Sequence, residues 1–527
     1  MEVYFPFITI VNILEHLMQK IKDSFWLGPV ISGLLTFIAV CHFNFFAAWI
    51  CYVPLFISIN ENISKLAFKK GLVFGLVFSI PAFFWMIPGA ERFTGYNMFY
   101  GLAVFLASAI FYACYCAALL FSIAVLKRPD NNLRSIVGNS ILTAALFCIA
   151  EWLLTFVSTG LPWFDSHSGN GLAANTYTIQ PASVLGIHIL TFITVSVNYL
   201  VAGMVIKKWG TKLYIPAAVI ITFIFAGWLL LDNFENKSPV KKTFNVAILA
   251  ENISPDIKWD DNTGNMLVQR LLDLNHLAVT HKPDIALWSE SAVPWTYHKD
   301  DDLVKEVFKI TDPASITHVM GINTAYKENE IYNSAYYILP GGNVTGRYDK
   351  QFLLSFIEKP LYGWLIPFFS SKGFYARNDL SHSKPLTTSY GKAGFLICNE
   401  AAIPAAAATQ VKQGAEFLLN MSNDGWFSDT YIVKAHFYYA RLRAVESRKD
   451  LAINCNNGYS GLIKASGEIA KQEKSEDPFV TMVSMQPNNM ITSATKIPNL
   501  LVYCCAAYIA IMAAFNIIRI KRNPGNR

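Results

Sequence analysis

The sequence predicts a polytopic α-helical membrane domain with an α/β domain inserted near its C-terminal end. Three observations carry this. Long apolar runs fill residues 1–231 and return near 498–518. Basic residues recur in alternate gaps between those runs. The intervening stretch, 232–496, has the make-up of a soluble domain, with 27 Lys+Arg and 29 Asp+Glu against 16 and 8 elsewhere. The whole 527-residue chain is 53% hydrophobic and 15% charged, with net charge +6, where globular domains carry about 25% charged residues. That balance excludes a disordered protein, a coiled coil and an ordinary soluble enzyme. A net charge of +6 spread over this length also argues against a nucleic-acid partner.

A membrane helix needs about 20 apolar residues. The runs predict spans near 25–41, 43–60, 71–88, 98–126, 135–157, 183–206 and 212–231, with an eighth near 498–518. The first two abut at Cys41-His42-Phe43, where a re-entrant hairpin is the alternative to two full spans. Short loops on the cytoplasmic side are rich in Lys and Arg. With eight spans, Lys20, Lys22, Lys65, Lys69, Lys70, Lys127, Arg128, Arg134, Lys207, Lys208, Lys212, Arg519, Lys521, Arg522 and Arg527 all fall on one face, and the short loops opposite hold only Arg92. Both termini are then cytoplasmic and the 232–496 domain is external. The N-terminal region lacks the cleavage pattern of a signal peptide, so the first span is expected to act as an uncleaved anchor. The expected organisation is a membrane domain with spans 1–7 over 1–231, an external catalytic domain over 232–496, and span 8 with a tail over 497–527.

Seven of the nine cysteines lie in or beside spans, where Cys behaves as a small hydrophobe. Cys398 and Cys455 alone fall in the external domain, and in an oxidising compartment they could form a structural disulfide. That domain alternates strand-like and helix-like stretches. Strands are expected at 244–250, 284–289, 318–325, 332–339, 393–398, 415–421, 451–455 and 479–485, and helices at 265–279, 302–310, 403–413 and 431–448. About 250 residues suffice for one α/β domain with a full core. Segment 352–375 is unusual for a soluble surface. Phe352, Phe356, Tyr362, Trp364, Phe368, Phe369, Phe374 and Tyr375 are interrupted by Pro360, Gly363, Pro367 and Gly373. Such a loop is expected to dip into lipid, since Trp and Tyr favour the membrane interface; buried core is the alternative.

Three short segments carry candidate chemistry: Trp288-Ser289-Glu290, Tyr348-Asp349-Lys350 with Glu358 eight residues on, and Phe395-Leu396-Ile397-Cys398-Asn399-Glu400. Alone, each is ordinary. A Glu after a strand is usually solvated, a Lys near a Gly-Gly turn is usually surface, and a Cys ending a strand is usually core. Together their residue types suit nucleophilic attack on a carbonyl. A thiol attacks only as thiolate. A carboxylate can take its proton, and a fixed ammonium can stabilise the oxyanion that forms.

In an α/β domain, this Glu–Lys–Cys set resembles that of the nitrilase (carbon–nitrogen hydrolase) superfamily, supported by Ser422-Asn423-Asp424-Gly425-Trp426-Phe427, a following helix with His436, Arg441, Arg443 and Glu446, and Asn456-Asn457-Gly458. The resemblance implies an α-β-β-α sandwich. With the membrane spans added, the chain resembles the apolipoprotein N-acyltransferase family over nearly its whole length. Further matches are Trp259, Glu400, Trp426, Glu151-Trp152-Leu153 and Thr159-Gly160-Leu161-Pro162-Trp163, while Asn399 and Leu154 depart from the family pattern. An acid within a span is a functional candidate by default, although Glu151 could equally form a structural pair.

The resemblance implies a bacterial inner-membrane enzyme with its catalytic domain in the periplasm. Glu290 is implied as general base, Lys350 as oxyanion stabiliser and Cys398 as thioester-forming nucleophile, with Glu358, Glu400, Trp259 and Trp426 in support. The implied donor is a phospholipid, phosphatidylethanolamine in particular. The implied acceptor is a diacylglyceryl apolipoprotein, and no metal or cofactor is implied. A membrane-tethered amidase of the same superfamily, with water as second substrate, is the alternative, and a non-catalytic scaffold is a more distant one.

Overall fold

The computed structural model describes residues 18–59, 63–89, 98–128, 132–237, 242–257, 259–260, 262–328, 330–355, 358–359, 375–427 and 430–522. Among these, five helices are long and apolar enough to cross a membrane: Ser64–Phe83, Met98–Leu126, Leu133–Val157, His188–Ile206 and Gly210–Lys237. Leu27–Cys41, Phe45–Ser58 and Leu500–Ala514 are shorter apolar helical segments. Large apolar side chains such as Ile80, Phe99, Ile110, Phe156 and Ile221 point outward and are exposed, as suits a surface meant for lipid. Inside the bundle, Gly71 and Gly75 lie against the backbone at Ala117 and Ala113, and small residues of this kind let membrane helices approach closely.

The segment expected as the second span, 43–60, is not one continuous helix. It consists of Phe45–Ala48 and Val53–Ser58, with 49–52 in turns. The break is possible because its backbone polar groups find partners inside the protein, as an apolar environment requires. Asn198, from the His188–Ile206 helix, accepts from Tyr52 N at 2.8 Å and donates to Ala48 O at 2.8 Å. Asn44 caps the first piece by accepting from Ala47 N at 2.9 Å. Leu27–Cys41 has 15 residues, about 22 Å of helix, which is short of the roughly 30 Å hydrocarbon core. The turn between Leu27–Cys41 and the broken segment meets the sandwich, His42 against Tyr431 and Phe43 against Tyr438, while Lys127 donates to Ile59 O at the far end, so the pair runs from the sandwich side to the opposite end of the bundle. Two further expectations shift. The run placed at 71–88 starts as helix at Ser64, so Lys65, Lys69 and Lys70 lie in its first two turns rather than in a loop. The run at 183–206 is divided into Ala182–Leu185 and His188–Ile206 by Gly186, whose φ is 72°.

The second part is a sandwich of two six-stranded sheets. The first has the order β15-β1-β2-β3-β6-β7, formed by Phe479–Met485, Phe244–Ala250, Ile285–Leu287, Thr317–Gly321, Ser334–Leu339 and Asn343–Asp349. The second has the order β14-β13-β12-β11-β10-β9, formed by Ile469–Glu473, Ser460–Ile463, Leu451–Asn456, Phe417–Asn423, Gly391–Ile397 and Leu386–Thr388. A small third sheet joins β4 (Thr324–Lys327), β5 (Glu330–Tyr332) and β8 (Tyr375–Arg377). Period-two alternation builds the layers. Val246, Ile248, Phe395 and Ile397 enter a core shared by both sheets. Ala247 and Leu249 face helices Gly264–His281 and Asp302–Thr311, while Leu396 faces Pro404–Lys412 and Tyr431–Ser447. Helices thus cover both outer faces, giving the expected α-β-β-α sandwich.

The strand β7 was not expected from sequence. Its first residues, Asn343-Val344-Thr345, are exposed and show no apolar alternation. It forms because Gly341 and Gly342, at φ 82° and 76°, turn the chain back on β6, pairing Leu339 with Asn343.

Replacing Asn198 by Ala orphans Tyr52 N and leaves Ala48 O with only the weak Cys51 thiol donor at 3.7 Å. A buried orphan costs about 1–3 kcal/mol, so the variant should melt several degrees below wild type in detergent. An unchanged melting temperature would mean that other groups hold the break.

Candidate active site

Glu290, Lys350 and Cys398 each follow the end of a strand: β2, β7 and β10 respectively. The strands place them together. Lys350 Nζ lies 3.4 Å from Glu290 Oε1 and 2.8 Å from Glu358 Oε1. The Glu290 carboxylate and the Lys350 ammonium both act electrostatically on the Cys398 thiol. Asn333 bridges the two acids, donating from Nδ2 to Glu290 Oε1 at 2.8 Å and to Glu358 Oε1 at 3.5 Å. The Asn333 carbonyl also accepts from Lys350 N at 2.9 Å. Glu358 is held in turn by Leu354 N, 2.7 Å from its Oε2. Lys350 itself has no solvent exposure.

Cys398 sits at the sharp junction of β10 and the helical turn Cys398–Ala402, at φ 55°. A non-glycine residue in the left-handed region is uncommon and costs energy. Glu400, fully buried, braces this junction. Its Oε2 accepts from Ile397 N at 2.8 Å, and its Oε1 accepts from Gln351 N at 2.7 Å and Phe352 N at 3.1 Å. Tyr348 O–H lies 3.0 Å from both oxygens. One carboxylate therefore ties the turn carrying Cys398 to the chain on either side of Lys350.

The electrostatics follow from burial and pairing. Burial pushes the Glu290 carboxyl above its ordinary value, Lys350 opposes this, and Glu358 reinforces it. Burial also pushes the Cys398 thiol well up; the Glu290 charge adds to this and Lys350 partly offsets it. The resting pair is a thiol beside a carboxylate, so attack requires a base. Lys350 stays charged, because its two carboxylates outweigh the cost of burial. Burial brings Glu400 up to about 7 despite its backbone donors.

The supporting residues divide. Glu358 and Glu400 join the cluster. Trp259 instead packs edge-on against Trp295 at 5.5 Å, on the side of the Gly264–His281 and Asp302–Thr311 helices. Trp426 lies in the turn Gly425–Phe427 after β11. Most of the aromatic loop expected to enter lipid, 356–357 and 360–374, lies outside the described residues. Cys398 and Cys455 are both free thiols, so the disulfide alternative does not describe this state. Sequence reasoning missed Asn333, which falls inside the strand expected at 332–339, whereas the structure places it between Glu330–Tyr332 and Ser334–Leu339. It named His436 without its partner; Asp424 Oδ1 is 2.7 Å from His436 Nδ1. Glu151 lies in a buried network, taking Ser168 N at 2.8 Å, Thr191 Oγ1 at 2.7 Å and His167 Nδ1 at 3.1 Å.

The site is tied directly to the membrane part. Ser355, in the loop after Lys350, donates from its backbone N to Gly160 O at 2.8 Å. Gly160 has φ 84°, and a Cβ there would overlap Ser355 Oγ, so this approach requires glycine. The Tyr431–Ser447 helix makes a second joint. Arg441 donates to Ala173 O and Ala174 O at 2.9 Å, and to Gly467 O at 2.7 Å. Tyr431 O–H donates to Ala82 O at 2.9 Å.

Comparison with known proteins covers both parts. The family model for the apolipoprotein N-acyltransferase N-terminal domain matches residues 32–200, and that for carbon–nitrogen hydrolases matches 246–492. The chain is 25% identical over 437 residues to the apolipoprotein N-acyltransferase of Geobacter metallireducens, covering 80% of this chain and 81% of that one. It is 25% identical to that of Wigglesworthia glossinidia brevipalpis, covering 83% and 87%. For the Allorhizobium ampelinum protein of the same name, identity is 26% and coverage is 84% and 86%. Among solved structures, the carbon–nitrogen hydrolase of Helicobacter pylori G27 aligns with a TM-score of 0.37 at 15% identity, covering 49% of this chain and 94% of that one.

Lys350→Met leaves Glu290 and Glu358 facing each other without their cation, a loss of about 3–5 kcal/mol when both are ionised. Without Lys350, the main group opposing the upward push on Glu290 is gone, so the native state binds more protons than the unfolded state and stability falls as pH rises. The variant should therefore melt low at pH 8 and regain part of the deficit at pH 5. A deficit that does not vary with pH would contradict the facing-carboxylate arrangement.

Proposed function

The chain belongs to the apolipoprotein N-acyltransferase family, and from that membership we propose that it moves an acyl chain from a phospholipid, through a thioester on Cys398, to the α-amino group of a diacylglyceryl-cysteine apolipoprotein. The single observation that carries the chemical reading is the buried Glu290–Lys350–Cys398 cluster, whose loop is bonded to the membrane part at Gly160. A site for water-soluble substrates has no need of that tie.

The first half-reaction follows from the geometry. Glu290, whose charge acts on the thiol, takes its proton as Sγ attacks the ester carbonyl. Its raised pKa brings it nearer the operating range of a general base. The oxyanion forms beside Lys350, a cation that cannot reorient away because two carboxylates hold it. Glu290 then returns the proton to the departing glycerol oxygen. A lysophospholipid leaves and acyl-Cys398 remains, so one hard transfer becomes two easier ones in ping-pong order. The acceptor amine resolves the thioester to an amide. Phosphatidylethanolamine is the proposed donor. Glu358 and Asn333 hold Lys350 and Glu290 in place, and Glu400 sets the Cys398 turn against the Lys350 strand.

The proposed setting is a bacterial inner membrane, with the 232–496 domain periplasmic and both termini cytoplasmic. The one-sided distribution of the basic residues supports that orientation. Reporter fusions to the two ends of the chain would test it.

Intact mass after incubation with phospholipid alone tests the chemistry. Wild type should gain one acyl group, and Cys398→Ala should gain none. Glu290→Gln should acylate about 10²–10⁴-fold more slowly. Acylation should fall with falling pH as Glu290 takes a proton, with a midpoint above the ordinary carboxylate value. Failure of wild type to hold an adduct, together with fatty-acid release into water, would favour the amidase reading.

A further inference from the structure

The Asp424–His436 pair takes no part in the steps above. Asp424 follows β11, the parallel neighbour of the strand that ends at Cys398. His436 comes from the Tyr431–Ser447 helix, which also joins the two parts of the molecule. Asp424 is buried and its Oδ1 engages His436 Nδ1 at 2.7 Å, while the imidazole keeps 21% of its side-chain surface exposed. With Nδ1 committed, Nε2 is the nitrogen left for proton exchange. Phe427 stands edge-on to the imidazole at 5.9 Å, and Trp85 of the membrane part stands edge-on to Phe427 at 5.1 Å. The imidazole therefore lies at the seam between bilayer helices and sandwich.

Three charged groups act on it: Asp424 on its own sheet's side, and Glu290 and Lys350 from the opposite sheet. Asp424 in turn acts on Cys398 and Cys455. Burial works against protonation of His436, but Asp424 prevails and the net shift is upward, the direction that strengthens an imidazole as a proton acceptor.

The second half-reaction has a use for such a group. An α-amino group has a pKa of about 7.7–8.0, so near neutrality the acceptor arrives largely as an ammonium, which has no lone pair. We propose that His436, oriented by Asp424, is the base that takes the first proton from the acceptor ammonium. This rests on the acyl-transfer reading above. The proton passes to Nε2, and the neutral amine nitrogen bonds to the acyl carbon. The proton then on nitrogen goes to Glu290, the C–S bond breaks with its electron pair leaving on Cys398 Sγ, and Glu290 returns the proton to the thiolate. His436 releases its proton to solvent. The balance is one thioester and one ammonium in, and one amide, one thiol and one proton out.

The test separates the halves in the full chain in detergent. Adduct formation is followed by intact mass with phospholipid alone, and adduct loss is followed after adding a synthetic diacylglyceryl-cysteine peptide. In His436→Gln and His436→Asn, adduct formation should stay within about threefold of wild type, which also reports that the site is folded. Transfer at about pH 7 should fall by about 10²-fold. That deficit should shrink to within about threefold at about pH 9, where the free amine is already neutral. Asp424→Asn should give a smaller deficit with the same pH dependence. Equal deficits at both pH values, equal losses in both halves, or unchanged transfer would each overturn the assignment. Absence of an adduct in wild type would instead overturn the acyl-transfer reading.

Discussion

An ammonium with no access to water must be neutralised where it stands. Lys350 meets that demand with two carboxylates, and much of the site's architecture serves the arrangement. The Gly341-Gly342 turn folds β7 back on β6 so that Lys350 enters the site at the strand's end. Asn333 spans the gap between Glu290 and Glu358. The backbone N of Leu354 fixes Glu358 from behind. Two acids at this spacing would repel without the lysine, and the lysine would be driven to lose its proton without them. The charge is thus fixed before any substrate is present, the condition under which an electrostatic site is most effective.

A second constraint joins the site to the membrane part. The sandwich is attached through side chains and backbone well inside the described structure. Arg441 reaches carbonyls at 173 and 174, and Gly160 accepts from the loop after Lys350. The helix that carries Arg441 also carries His436, so the joint between the parts and the Asp424–His436 pair share one element.

The layered fold was legible because its strands alternate cleanly. Phe244–Ala250 and Phe479–Met485 emerge with the bounds expected, since both faces of each strand meet a packed layer. Glu290, Lys350 and Cys398 were legible as a set, although nothing in the sequence showed that Asn333 would lie between the acids. Residues that only complete hydrogen bonds carry no periodicity and no composition signal. The broken segment at 43–60 was hidden for a related reason. Its hydropathy is that of a span, and the amide that makes the break tolerable sits at position 198, 146 residues away. Hydropathy measures transfer to lipid; it does not register a partner arriving from elsewhere in the chain.

The guanidinium of Arg441 has a consequence for how this molecule can be taken apart. Its donors are divided between the sandwich, at Gly467 O, and the membrane part, at Ala173 O, Ala174 O and Thr176 Oγ1. Cutting the chain at the linkers would leave a buried cation on one fragment and unanswered carbonyls on the other. The catalytic half is therefore not a cargo that happens to ride on an anchor, and a soluble fragment of it would begin life with a hole in its own surface.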